Sequence, residues 1–299
     1  MLSYELISIT TYDNIVYPLA DGASRFVLNT PGNLGLPPID YLTQRTYKGD
    51  GVVETGYRLG QRDFTVNFRN QGCSRNDYWN IRQSLINILR PNRGGQATFT
   101  IRLSTGEKRA LTVRSLSPTF PEVENTRWDE YSYTEILQFL AFDPVWYDPS
   151  EDSYEVVNDP ADQLVFPITF DDANIIFGGD SYGIASITYD GSWYAYPVIV
   201  ITAPFDQVTL SHIELGVSLS LIYGIASGYI EINLANQTIT DQDGNSLWGY
   251  LTENSDLQGF KLEPDPVVSG GVNQINIFLP GSDGSTTVNV FWNTRYIGI

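Results

Sequence analysis

Apolar and polar residues exchange places along this chain at two different periods. From Tyr4 to Thr11 they roughly alternate, and from Phe64 to Phe68 they do so again, with Phe64, Val66 and Phe68 on one face. A period of two marks a half-buried strand. Between these segments, Thr30-Pro31-Gly32-Asn33-Leu34-Gly35-Leu36-Pro37-Pro38 has the composition of a loop. After Gly72 the period lengthens: Tyr78, Ile81, Leu85, Ile88 and Leu89 recur at helical spacing and form one apolar stripe. Ser74 is placed to cap this helix and Asp77 falls in its first turn. Arg90 closes the last turn, in keeping with the helix dipole, and Pro91 stops it. Gly94-Gly95 then leads into a predicted hairpin, residues 97–103 and 110–113, joined by the turn Ser104-Thr105-Gly106-Glu107. Residues 131–142 read as a further long strand.

Beyond residue 150 no helical period is convincing. Short strands are predicted at 196–202, 208–210, 217–221, 229–234, 238–240, 274–279 and 287–292. Asn236, Asp243-Gly244-Asn245 and Ser282-Asp283-Gly284 supply turns between them. Such spacing predicts an antiparallel β-sandwich of jelly-roll or lectin type. The expected fold class is therefore mainly β: a first β domain with one helix, then a β-sandwich.

Charge changes this picture by dividing the chain. Residues 1–143 hold 15 Lys+Arg and 15 Asp+Glu, whereas residues 144–299 hold 2 and 20, which accounts for the whole net charge of −18. A break this sharp argues for two domains in different surroundings. It coincides with Phe142-Asp143-Pro144-Val145-Trp146-Tyr147-Asp148-Pro149, a stiff segment in which two prolines flank aromatics. The expected domains are 1–147 and 148–299. An acidic surface is repelled by phosphates, which argues against DNA and anionic membranes as partners. No run of about 18 apolar residues is present to span a membrane. Met1-Leu2-Ser3-Tyr4-Glu5-Leu6 lacks the pattern of a signal peptide, so the expectation is a soluble protein made in the cytoplasm. With Cys73 and His212 the only residues of their kinds, a Cys/His metal site is excluded. No cofactor or metal is expected.

Several patterns invite a chemical reading. Gly179-Asp180-Ser181-Tyr182-Gly183 has the form of a nucleophile elbow, with Asp206 and His212 following in hydrolase order. That elbow needs a helix after the serine, and residues 184–189 read as strand or loop, so a glycine turn is favoured. Asp241-Gln242-Asp243-Gly244-Asn245 begins like a calcium loop, but Ser246 and Thr252 stand where an EF-hand needs Gly and Glu. A hairpin turn is expected there. Trp193, Tyr194 and Trp248 are candidates for stacking on a sugar ring, weighed against plain core packing, which is favoured. The 20 carboxylates of the second half are scattered rather than paired, and no catalytic residue is assigned. In the first half, 13 of the 15 basic residues are arginines. Arginine is favoured where planar ion pairs are held at interfaces, which makes Arg82, Arg90 and Arg93 candidates for a subunit contact.

The run Asn76-Asp77-Tyr78-Trp79-Asn80-Ile81-Arg82-Gln83-Ser84-Leu85-Ile86-Asn87-Ile88-Leu89-Arg90-Pro91-Asn92-Arg93-Gly94 resembles the helix and Pro-Asn-Arg-Gly-like stop of siphophage distal tail proteins. Phe139-Leu140-Ala141-Phe142-Asp143-Pro144-Val145-Trp146-Tyr147 is similar to the hinge between that family's two domains. Tyr196-Pro197-Val198-Ile199, Gly228-Tyr229-Ile230-Glu231-Ile232-Asn233 and Thr238-Ile239-Thr240-Asp241-Gln242-Asp243-Gly244 resemble strands of its second domain. The resemblance implies a structural, non-enzymatic virion protein at the tail tip of a long-tailed phage, assembled in the host cytoplasm. It implies a tail-tube-like first domain that forms a homohexameric ring around a DNA channel, without sequence-specific contact to the nucleic acid, and a galectin-like second domain outside it. The partners implied are the tail tube protein, the tip or baseplate hub, and a receptor-binding protein. A carbohydrate-binding adhesin module is the alternative from another class.

Overall fold

The computed structural model describes residues 7–20, 25–27, 32–47, 49–71, 74–91, 94–119, 132–156, 169–170, 173–174 and 181–299. Residues 4–6 of the first predicted strand, Cys73, Arg93, Tyr131, Gly179 and Asp180 lie outside them. The chain divides into two compact units, Met1–Pro149 with Tyr296–Ile299, and Ser150–Arg295. The second unit is thus an insertion between the body of the first and its last four residues.

In the first unit the strands are β1 (Ile7–Thr10), β2 (Val16–Pro18), β3 (Arg25–Val27), β4 (Ile39–Arg45), β5 (Val52–Leu59), β6 (Arg62–Gln71), β7 (Ala97–Arg102), β8 (Lys108–Thr119), β9 (Ser132–Ala141) and β10 (Trp146–Tyr147). The main sheet runs β2-β1-β7-β8-β9-β6-β3, and β10 pairs with β8. Alternation does what its period requires: Ile7 and Ile9 of β1, Phe64 and Val66 of β6, Phe99 and Ile101 of β7 turn to one core. Phe64 lies 4.9 Å from Phe99 and 5.4 Å from Phe139, centroid to centroid.

Helix α1 (Arg75–Leu89) follows β6. Ser74 caps it, its Oγ accepting from the Asp77 amide at 3.2 Å. Only part of the apolar stripe is buried: Tyr78, Leu85 and Leu89. Arg90 stands one position later than the sequence suggested. It is the C-cap residue, already extended, and its N–H bonds the Ile86 carbonyl.

Two buried arginines tie distant parts of this unit together. Arg62 donates from Nε to Pro144 O (2.9 Å), from Nη1 to Asn33 O (2.6 Å) and Gly35 O (2.7 Å), and from Nη2 to Ile297 O (2.9 Å). Trp146 donates from Nε1 to Leu34 O. Arg109 lies 3.7 Å from the centroid of Tyr296 and bonds Glu107 at 2.9 Å.

The second unit contains β11 (Asp152–Val156), β12 (Thr169–Phe170), β13 (Ala173–Asn174), β14 (Ser181–Thr188), β15 (Val198–Thr202), β16 (Val208–His212), β17 (Val217–Leu221), β18 (Tyr229–Asn233), β19 (Thr238–Asp241), β20 (Val272–Phe278) and β21 (Val288–Trp292). Strand β22 (Arg295–Tyr296) leads back to the first unit, where Tyr296 stands in the pairing with β10. Five strands form the sheet β11-β21-β15-β18-β19 and four form β14-β20-β16-β17, antiparallel throughout. Inward residues of both sheets, among them Ile187, Ile199, Leu210, Leu219, Ile232, Ile275 and Val290, share one core. This is an antiparallel β-sandwich.

Candidate assembly surface

Strands β4 and β5 form a sheet of their own. Their β-branched and aromatic residues favour extended backbone, and Gly51, with φ of +89°, supplies the left-handed position of the reversal. Asp40 pairs with Arg58 and Tyr41 with Tyr57 in the register. Among the described residues neither face of this hairpin is covered. Tyr41, Val52, Val53 and Tyr57 are each more than half exposed, and Tyr47 near the tip is 89% exposed. An isolated two-stranded hairpin is at best marginally stable in water. Contiguous exposed apolar residues mark surfaces meant to be covered. Three acidic residues (Asp40, Asp50, Glu54) and three basic ones (Arg45, Lys48, Arg58) leave the segment neutral.

A half-buried apolar surface lies beside α1. Ile81 and Ile88, the surplus of the helical stripe, line an open groove of about 450 Å³ with Ile15, Tyr17, Asn80, Ser84 and Asn87. No lining residue is charged. Thr11 braces the β1–β2 turn at its edge: its Oγ1 donates to Ile15 O and accepts from Ile15 N. Arg82 follows Ile81 and sits 5.3 Å from the Trp79 ring. Arg90, at the far end of the helix, borders a smaller crevice with Tyr12 and Gly95. Arg82 lies within the helix and Arg90 caps its end, so the two do not share a site, and Arg93 lies outside the described residues. The cations that organise this unit are Arg62 and Arg109, which alternation alone did not single out.

In the second unit the aromatic candidates separate. Trp193 and Tyr194 lie 5.1 Å apart, and Tyr194 is 5.4 Å from Tyr196. Lys261 sits 4.3 Å over the Tyr194 ring and pairs with Glu263 at 2.7 Å. Burial, and next to it Tyr194, pushes the Tyr196 hydroxyl pKa up. Glu263 adjoins Asn273, which bonds His212, so this cluster belongs to the His212 end of β16. Trp248 instead lies in a 3-10 turn with Tyr250, whose carbonyl accepts from Ile222 beyond the Val208–Leu221 pair, at the opposite end of β16. Trp193 and Tyr194 are together; Trp248 is apart from them.

The other patterns resolve into structure. Ser181 opens strand β14, with no helix after it. Asp241 closes its own turn, accepting from the Asp243 and Asn245 amides and from Asn245 Nδ2, and these bonds, that of the Asn245 side chain foremost, lower its pKa. Among the described residues no group of three or more His, Cys, Asp or Glu could hold a metal, and no helix is long and apolar enough to cross a membrane.

His212 is buried. Asn273 Nδ2 donates to Glu263 O and Gly271 O, which orients the amide, so His212 Nε2 donates to Asn273 Oδ1 at 3.1 Å. Nδ1 then accepts from the Leu215 amide, with Glu214 Oε2 at 3.4 Å. Burial pulls the imidazole pKa below its ordinary value, against Asn273, Glu214 and Glu263, which act upward. A base with a depressed native pKa contributes stability above its unfolded value, near 6.5, and loses it as pH falls through the native one. Acidification below about pH 6.5 is therefore expected to lower the denaturant midpoint of the second unit. The slope should be shallower in His212→Gln. A midpoint that rises on acidification, or equal slopes in the two proteins, contradicts this account.

The fold these two units make is the one found in hub and baseplate proteins of phage tails. The Dit protein (gp 19.1) of phage SPP1, described as a paradigm of the hub adsorption apparatus in phages infecting Gram-positive hosts, superimposes with a TM-score of 0.65 at 16% identity over 97% of this chain and 99% of that one. A chain of the phage P2 baseplate in its activated conformation with Ca matches with a TM-score of 0.52 at 12% identity, covering 95% of this chain and 97% of that one. The same baseplate with Sr gives 0.50 at 14% identity, with the same coverage. No protein-family model and no curated protein matches the sequence.

Proposed function

We propose that this protein is a structural component of a phage tail's adsorption hub, a homohexameric ring that joins the tail tube to the tip or baseplate. The observation that carries the reading is the exposed hairpin Ile39–Leu59 on a nearly neutral β unit, in a chain of which 97% matches the SPP1 Dit fold. A ring needs different surfaces that meet head to tail and close. A unit with 15 basic and 16 acidic residues can assemble with little self-repulsion, while the anionic second unit keeps the copies soluble. In this reading the protein sits in the virion, at the tail tip. Its partners are further copies of itself, the tail tube protein, the hub and the receptor-binding protein, and it carries out no catalysis.

The test is native mass measurement of the full chain, alone and with the tube and hub proteins. Six copies per particle are expected in at least one of these mixtures. A monomer in all of them, with no affinity for any tail protein, would overturn the proposal.

A further inference from the structure

The geometry points to a site for a neutral pyranose sugar on the second unit, at the end of the sandwich where Trp248 and Tyr250 stand. This goes beyond the ring reading and does not depend on it. Core packing does not account for these two side chains, which are 47% and 49% exposed. Leu247 is buried and Leu251 packs on the core, one on either side of the 3-10 turn, and the residues between them face outward. Leu251 forms a bridge with Leu221 at the end of β17, and the Ile222 amide donates to Tyr250 O at 2.9 Å. Ile222, itself 62% exposed, therefore joins the same surface. So does Tyr223, whose ring lies 4.7 Å from that of Tyr250. A Cβ on Gly249 would meet nothing within 4 Å, so the turn between the two aromatic residues is open to solvent. Contiguous exposed apolar side chains of this kind mark a surface that takes a ligand.

Polar groups at the same end select the ligand. Phe205 and Ile225 exchange backbone hydrogen bonds of 3.0 and 2.8 Å, which lays the segment after β17 along Asp206. A Cβ on Gly224, the neighbour of Tyr223, would stand 2.8 Å from Asp206 Cα, and one on Gly281 would stand 2.6 Å from Asp206 Oδ2. Two glycines thus make room for an exposed carboxylate beside the tyrosine loop. A pyranose has a face of C–H groups, which covers an aromatic ring, and a rim of hydroxyls, which donate to a carboxylate. A purely apolar ligand would take water from Asp206 and return no donor. An acidic ligand would be repelled, because residues 203–256 contain no Lys or Arg, in a half with 20 acidic residues against 2 basic ones. The other aromatic cluster is already engaged: Trp193, Tyr194 and Tyr196 are part-buried, and Lys261 sits over the Tyr194 ring.

Saturation-transfer NMR on the full chain tests the site, with the methyl glycosides of glucose, galactose, N-acetylglucosamine and rhamnose as probes. At least one is expected to receive saturation from aromatic protons, with an affinity in the millimolar range. Trp248→Ala should weaken binding at least about tenfold and leave the melting temperature unchanged, while Trp248→Phe should restore much of it. Asp206→Asn should weaken it by about tenfold, the loss of one charge-assisted hydrogen bond. Methyl glucuronide, a pyranose that carries a carboxylate, should receive no saturation. Absence of transfer to all four neutral probes would overturn the proposal. Transfer that survives Trp248→Ala, or that is lost in Trp193→Phe instead, would also overturn it. Methyl glucuronide binding as well as the best neutral probe would overturn the choice of a neutral sugar. None of these measurements reads the number of copies, so a failure here leaves the ring reading standing.

Discussion

Replacing Arg62 with Met is expected to lower the stability of the first unit by at least about 4 kcal/mol, a large share of the roughly 5–15 kcal/mol that holds a domain folded. The side chain is fully buried, and its fork satisfies four carbonyls: Pro144 before β10, Asn33 and Gly35 in one loop, and Ile297 in the C-terminal tail. None of these partners is a carboxylate. Burial draws the guanidinium pKa down to about 10, so it keeps its charge at neutral pH, and four of its five N–H donors are in use. Removing it strands the buried Pro144 carbonyl, at about 1–3 kcal/mol, and breaks three further bonds from a charged donor to part-buried carbonyls, each at about 1.5–3 kcal/mol. Met matches the stem but brings no donor. Arg62→Lys should restore little, since an ammonium cannot reproduce the planar geometry that reaches three segments at once. Denaturant unfolding with hydrogen exchange on β6 and β9 would read the loss. A change below about 1 kcal/mol would show that water replaces the fork, and the clamp would be discarded.

How much of this was visible beforehand depends on how local each cause is. Helix α1 was legible because its cap, first-turn acid, stripe and proline stop all lie within eighteen consecutive positions. Seven of the sandwich strands were legible because alternate residues in them are buried, so the period survives in the sequence, whereas β11 read as linker and β14 as strand or loop. Residues 217–221 form β17 as predicted. The β4–β5 hairpin was missed for the complementary reason: with both faces exposed, Ile39–Leu59 has no inward side for alternation to record. Strand propensity in Val52-Val53 and the Gly49-Asp50-Gly51 reversal were the available signals. Arg62 reads in the sequence as one more polar position before Phe64, because its four partners lie 27 to 235 residues away. Trp193 and Trp248 look equivalent along the chain. The order of strands in the sheets assigns them to opposite ends of β16, which no spacing encodes.

Excising residues 150–295 and joining Pro149 to Tyr296 through a short glycine linker is expected to leave the first unit folded, whereas a chain that stops at Pro149 should lose about 3 kcal/mol or more. The join is short because β10 (Trp146–Tyr147) already pairs with the strand that contains Tyr296. The four returning residues are integral to the unit. Tyr296 lies under Arg109, Ile297 O accepts from Arg62, and the Ile299 amide donates to Leu34 O at 3.2 Å. Tyr296 and Ile299 also pack on the core that holds Phe64 and Trp146. Gly298 passes so close to Gly35 that a Cβ on it would stand 2.9 Å from the Gly35 carbonyl carbon, so Gly298→Ala in the full chain should destabilise in the same direction as the truncation. Stopping at Pro149 strands a donor of Arg62, leaves Leu34 without one partner and bares the core edge; excision does none of these. Because excision also removes most of the acidic excess, the ring proposed above predicts that the excised chain associates at lower protein concentration than the parent at low ionic strength, with a gap that narrows as salt is added. Equal denaturant midpoints for the excised and truncated chains would refute the structural role given to the tail. An excised chain that folds but assembles no better at low salt would refute the role given to the second unit's charge.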